Sequence, residues 1–135
     1  MVLTRPVGVS WEDHHQVAHT CSELNRLLDT ATREAELFEI PVAVELVVEA
    51  SSTVFMLTVG GERSMLTYAV GVQPHFTNHY LLNGNALEPL FAFLYHGSYS
   101  EVDDHRTVPM AAARQAALWY AVQGELPPKL PWHIV

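Results

Sequence analysis

Residues 94–106 read LYHGSYSEVDDHR, which puts two histidines, three carboxylates, two tyrosines and one arginine into one short window. Three chemistries suit such a set. Histidines with carboxylates can hold a divalent metal. Paired carboxylates such as Asp103 and Asp104, beside His105, can split their pKa values and exchange protons with a substrate. Tyrosines among acids can form an acidic face that another protein grips. The window alone leaves all three open.

Other residues with chemical potential have plainer readings. His15 and His19 stand four apart, as do His75 and His79, a spacing that places two imidazoles on one metal only if the segment is helical. The first pair lies just before a helix cap and the second in strand-like text, where such residues are about 13 Å apart. Neither pair has the Glu that follows the first histidine in metalloprotease helices, and the single cysteine leaves no cysteine set for zinc. Asp103 and Asp104 are adjacent, so they point in different directions, and an acidic loop before a helix N-terminus is the simpler account of them. No G-x-S-x-G elbow occurs, and Cys21, inside a helix cap, reads as structural. Gly60-Gly61-Glu62-Arg63 lacks the frame of a phosphate loop and reads as a hairpin turn. Trp119, Tyr120 and Trp132 read as core and tail-docking residues before they read as a ligand cage. These readings predict no enzyme, no metal and no cofactor. A small metal-dependent hydrolase built on His75 and His79 is the weakest alternative.

The chain of 135 residues, 49% apolar, is long enough for one core, and residues 1–135 are read as a single domain. Fifteen acidic residues against seven basic ones give a formal net charge of −8. That excludes a protein that grips nucleic acid directly, since such binding rests on clustered Lys and Arg. It permits a basic protein partner, with plain solubility as the competing account of the charge. One cysteine excludes an internal disulfide, and no stretch has the length or apolarity of a signal or membrane span, so a cytoplasmic protein with no membrane contact is expected.

The elements that must position the candidate residues are legible. Thr20-Cys21-Ser22-Glu23 is a capping-box pattern, and Leu24, Leu27, Leu28, Ala31 and Ala35 follow at helical spacing. Pro41 ends that amphipathic helix, and PVAVELVVEA, STVFMLTV and SMLTYAV read as strands. In the first, Val42, Val44, Leu46 and Val48 share one face and Glu45 and Glu49 the other. The second is apolar on both faces and therefore central. Asn83-Gly84-Asn85 predicts a turn before the strand LFAFLYH, and Gly97-Ser98 turns the chain into YSEV. A second helix opens at Thr107-Val108-Pro109, with the proline in its first turn, and runs through MAAARQAALWYAVQ to a Gly124 cap. Arg114, Gln115 and Gln123 are its only clearly polar residues, so the sheet covers it or a partner does, which leaves a homodimer open. The fold class is α+β: a mostly antiparallel sheet with an N-terminal amphipathic helix and a C-terminal alanine-rich helix packed on it.

In order, Gly60, Ser64, Leu66 and Tyr68; Tyr95, Gly97 and Glu101; and Val108, Pro109, Ala113, Ala116, Gly124, Pro127 and Trp132 form a connected pattern. Across residues 40 to 132 it resembles the first-numbered immunity-protein family of bacterial polymorphic toxin systems. The chain departs from that pattern at Gln123-Gly124-Glu125-Leu126-Pro127, which lacks an arginine, and at Asp103-Asp104, where a proline is usual. The resemblance implies an inhibitor of a cognate toxin domain of the nucleic-acid deaminase type, the toxin being basic and bound one-to-one. A protein-binding adaptor unrelated to toxins is the alternative. The matched residues are turn glycines, a helix-opening proline and core aromatics, so they do not mark the binding surface. Tyr95, Tyr99, Glu101, Asp103, Asp104 and His105 are the candidate partner-binding residues, with an ordinary solvated loop as the competing reading.

Overall fold

Alternation decides the first element: along Val2–Trp11, Val7, Val9 and Trp11 are buried while Gly8 and Ser10 point the other way, which is strand β1. The computed structural model describes residues 1–72, 75–81, 90–102 and 106–134. Strand β2 (His14–Thr20) folds back antiparallel on β1. Helix α1 (Cys21–Phe38) follows. Thr20 caps it by accepting the Glu23 N–H at 3.0 Å, and Glu23 reaches back to the His19 N–H at 3.1 Å. Leu24, Leu28, Ala31 and Ala35 are its buried stripe. Glu39, in the left-handed region, ends the helix, and β3 (Val42–Val48), β4 (Thr53–Val59), β5 (Arg63–Val72) and β6 (His75–Leu81) run on as an antiparallel meander. Then come β7 (Phe91–Tyr95), β8 (Ser98–Val102), β9 (Thr107–Pro109), α2 (Met110–Gln123) and β10 (Trp132–Ile134).

The sheet order is β10-β6-β5-β4-β3-β1-β2, with β4 at its centre. Its single departure from antiparallel pairing among the described residues is Val42 beside Leu94, where β7 runs parallel to the start of β3 and the Leu94 N–H donates to the Pro41 carbonyl at 2.8 Å. Two expectations need correcting. The amphipathic helix is not N-terminal, because two strands precede it. Pro109 is not in the first turn of α2: its extended backbone (ψ 146°) makes it the N-cap, and Thr107–Pro109 is strand because those residues pair with Arg63–Met65. His15 and His19 lie on β2, directly before the Thr20 cap. The predicted turn at Asn83-Gly84-Asn85 lies outside the described residues.

Both helices pack on the same face of the sheet. Val42, Val44, Leu46, Phe55, Leu57, Val59, Leu66 and Tyr68 meet Leu24, Leu28, Ala31 and Ala35 of α1 and Ala113, Ala116, Ala117 and Ala121 of α2 in one core. The alanines let α2 lie close to the strands. Gly60, at φ 100°, makes the β4–β5 turn directly beneath α1, and a Cβ there would collide with that of Ala35. At the same hairpin Ser64 donates to the Thr58 carbonyl at 2.7 Å and accepts the Thr58 N–H at 3.0 Å, so this buried pair is satisfied internally.

Tyr120 joins α2 to the sheet. Its fully buried hydroxyl accepts the Val48 N–H at 3.1 Å and lies 2.8 Å from Thr53 Oγ1, and its ring stacks on Phe55. Replacing Tyr120 with Phe keeps the ring and strands the Val48 N–H, so Y120F is expected to lose about 1–3 kcal/mol of stability in urea unfolding with an unchanged m-value. A variant as stable as the parent would show that the hydroxyl network carries no net energy.

Candidate partner-binding site

The window that opened the sequence reading folds into a hairpin. Tyr95 pairs with Ser98, so His96 and Gly97 form a two-residue turn, and both have positive φ (46° and 79°) as a primed hairpin turn requires. The strand period then sorts the side chains. Phe91, Phe93 and Val102 face the sheet and pack on Ala43, Met56 and Met65, covering that part of the face opposite the helices. Tyr95 has the parity of Phe93. Tyr99 and Glu101 have the opposite parity and are exposed, Tyr99 at 62%. The three placed candidates are therefore divided: Tyr99 and Glu101 look outward together, while Tyr95 turns toward β3. Asp103, Asp104 and His105 lie outside the described residues.

The tip of the hairpin is pinned by His96. Its Nε2 is 2.8 Å from Glu45 Oε1 on β3, and its Nδ1 is 2.9 Å from the Glu12 carbonyl in the β1–β2 turn. Both partners are acceptors, so both ring nitrogens must donate, and the imidazolium is the form that fits. The Glu45 hydrogen bond, followed by the Glu12 carbonyl, holds the His96 pKa above its usual value, against an opposing effect of burial. Tyr95 also hydrogen-bonds Glu45. Burial, then the charge of that carboxylate, raises the Tyr95 phenol above its ordinary value.

Beside this anchor the outer face of the sheet is open. A concavity of 340 Å³ has Val54, Met56 and Ala69 as an apolar floor and Glu45, Thr67, Asn78 and Tyr95 around it. At the β6 flank the Arg106 guanidinium lies over the Tyr80 ring, 4.4 Å from its centroid. The β1–β2 hairpin is fixed on the other side by Glu34 of α1, which accepts from Trp11 Nε1 at 2.7 Å and lies 3.0 Å from His14 Nε2.

Sequence reasoning missed Glu45, Glu12 and His96 as a unit. His96 stood inside the quoted window, but its carboxylate partner is 51 residues away and only the layer arrangement joins them. The histidines weighed for a metal have other neighbours where they are described. His15 is 3.1 Å from Ser10 Oγ, His79 meets Tyr68 edge-on in the helix-side layer, and no group of three or more metal-binding side chains occurs among the described residues. Tyr120 is core, and Trp132 docks the tail by donating to the Pro127 carbonyl at 2.7 Å. Trp119 lines a groove of 410 Å³ between α2 and the tail, with Pro127 and Leu130. No described helix is long and apolar enough to cross a membrane.

His96 carries the pH dependence of this site. Its folded pKa is raised, so its contribution to stability is fully present below about pH 6.5, the unfolded value, and is lost as the pH rises through the folded pKa. The stability gap between the parent and H96A is expected to be widest at mildly acidic pH and to close at alkaline pH, with β7–β8 amides exchanging faster once it closes. A gap that does not change with pH would contradict the imidazolium assignment. Compared with known proteins, the chain matches the family model described as immunity protein Imm1 over residues 12–133. A search of curated proteins returned no match.

Proposed function

Because the chain belongs to the immunity protein Imm1 family, we propose that it binds a cognate bacterial polymorphic toxin of the nucleic-acid deaminase type and silences it by covering the mouth of its pocket. Family membership assigns a role in immunity against a toxin, and the match across residues 12–133 is the observation that carries the reading. Charge supports the finer part. A toxin that acts on nucleic acid must draw phosphates to its pocket, so that mouth is positive. A partner with a formal charge of −8 is steered to the same place and competes with the substrate there.

Inhibition by occupancy needs no bond-making step in this chain and no cofactor, so no residue is given a catalytic role. Affinity comes from aromatic and apolar anchors, Tyr99 among them, with carboxylates such as Glu101 adding rate and selectivity. The complex is one-to-one and leaves nucleic acid without a direct contact to this chain.

Co-expression with the toxin domain encoded beside it tests the reading. The expected result is a complex of one copy of each chain, with base conversion in a single-stranded nucleic-acid probe abolished. Free toxin activity in the presence of excess immunity chain would overturn it. Alanine at Glu101, Asp103 and Asp104 together is expected to weaken the complex and flatten its salt dependence. Unchanged affinity in that triple variant would remove the acidic loop from the interface.

A further inference from the structure

The side of the sheet that carries no helices is apolar where it should be polar. An antiparallel sheet with one solvated face normally alternates hydrophobic-in and polar-out. Here the outward positions follow the ladders in a line: Val17 pairs with Gly8, Gly8 pairs with Val47, and Val54 pairs with Ala69. Val47 and Val54 each stand next beyond the Leu46–Phe55 pair, so they continue the same line. Four strand spacings make it about 19 Å long. Val17 is 53% exposed and Val47 42%. Scattered exposed apolar residues are ordinary, but a contiguous strip marks an interaction surface. The β7–β8 hairpin covers the neighbouring part of this face and stops at Tyr95, and no other described element covers the strip.

From this placement we infer that the cognate toxin docks on the strip Val17–Gly8–Val47–Val54–Ala69 and presents an apolar patch bordered by basic side chains, one of which reaches Glu45 and Tyr95. The inference rests on the immunity reading and gives it a surface. Three features fit that occupant. Glu45 sits beside the strip and already meets His96 and Tyr95, and a carboxylate, with about four lone-pair sites, keeps acceptor capacity for a further donor. The floor of Val54, Met56 and Ala69 accepts the aliphatic stem of an arginine or lysine while the head meets the carboxylate. A second copy of this chain is disfavoured, because two chains of formal charge −8 repel each other.

Gly8 makes the test clean. Its φ is not positive, and an added Cβ would meet only the Val47 carbonyl, at 3.7 Å, so a side chain there leaves the fold intact and stands on the strip. Titration of the inactivated toxin domain with G8R and V47R is expected to show affinity lowered about 100-fold by steric block and like charge. L37R, on the 82%-exposed end of α1, is expected to bind as the parent does. In the parent complex, the methyl resonances of Val17, Val47 and Val54 are expected to shift, which reads the surface without any substitution. Parent binding with unchanged G8R and V47R affinity, or with unshifted methyls, overturns the inference and leaves the immunity reading standing. Failure of the parent to bind overturns both. A free dimer that V47R dissociates while toxin affinity stays unchanged gives the strip to a second copy and overturns the inference.

Discussion

The arrangement depends on one buried hydroxyl. Tyr120 projects from α2 into the layer between helix and sheet, where its oxygen meets the Val48 N–H at the end of β3 and Thr53 at the start of β4. The pairing between those two strands ends at Leu46 and Phe55, although Val48 stays in register with β1 and Thr53 with β5, and a tyrosine oxygen takes up the Val48 amide. Its ring lies between Phe55 and Tyr68, so apolar burial and polar satisfaction fix the same position. In a helix whose buried face is otherwise alanine, this is the one large buried side chain that sets its register on the sheet.

Placing α2 there has consequences on the opposite side. Both helices share one face of the sheet, and Arg114 of α2 ties them together through Asn25 and Asp29 of α1. Among the described residues no third helix covers the other face, and the β7–β8 hairpin is the element that crosses it. That hairpin is held by its own apolar contacts with Ala43 and Met65 and by the imidazolium clasp of His96 on Glu45. The result is a sheet with one sealed side and one that is part roofed and part open, which suits a protein whose work is to present a surface to another.

The residues that carried the family resemblance turn out to be mostly structural. Gly60 clears Ala35, Ser64 satisfies Thr58, Leu66 and Tyr68 are core, Gly124 ends α2 in the left-handed region, and Trp132 hydrogen-bonds Pro127. The family match extends further toward the N-terminus than those motifs do, to residue 12. There β2 and α1 carry only ordinary strand and helix patterns, which many sequences share. Of the surface proposed from sequence, Tyr95, Tyr99 and Glu101 lie on one hairpin, but the pleat sends Tyr95 to the side opposite the other two.

What the sequence determined by itself was local: the capped helix after Thr20, the strand faces of β3, the central place of β4, the glycine turn and the alanine-rich helix. Those features are written in spacing and in the backbone demands of single residues, which neighbours in the chain can satisfy alone. The tertiary structure alone decided which outward-facing residues become neighbours. Val17, Gly8 and Val47 form a line only after β2, β1 and β3 are in register, and His96 finds Glu45 only after the hairpin is laid across the sheet. Both depend on packing between residues far apart in the chain, and no local pattern encodes it.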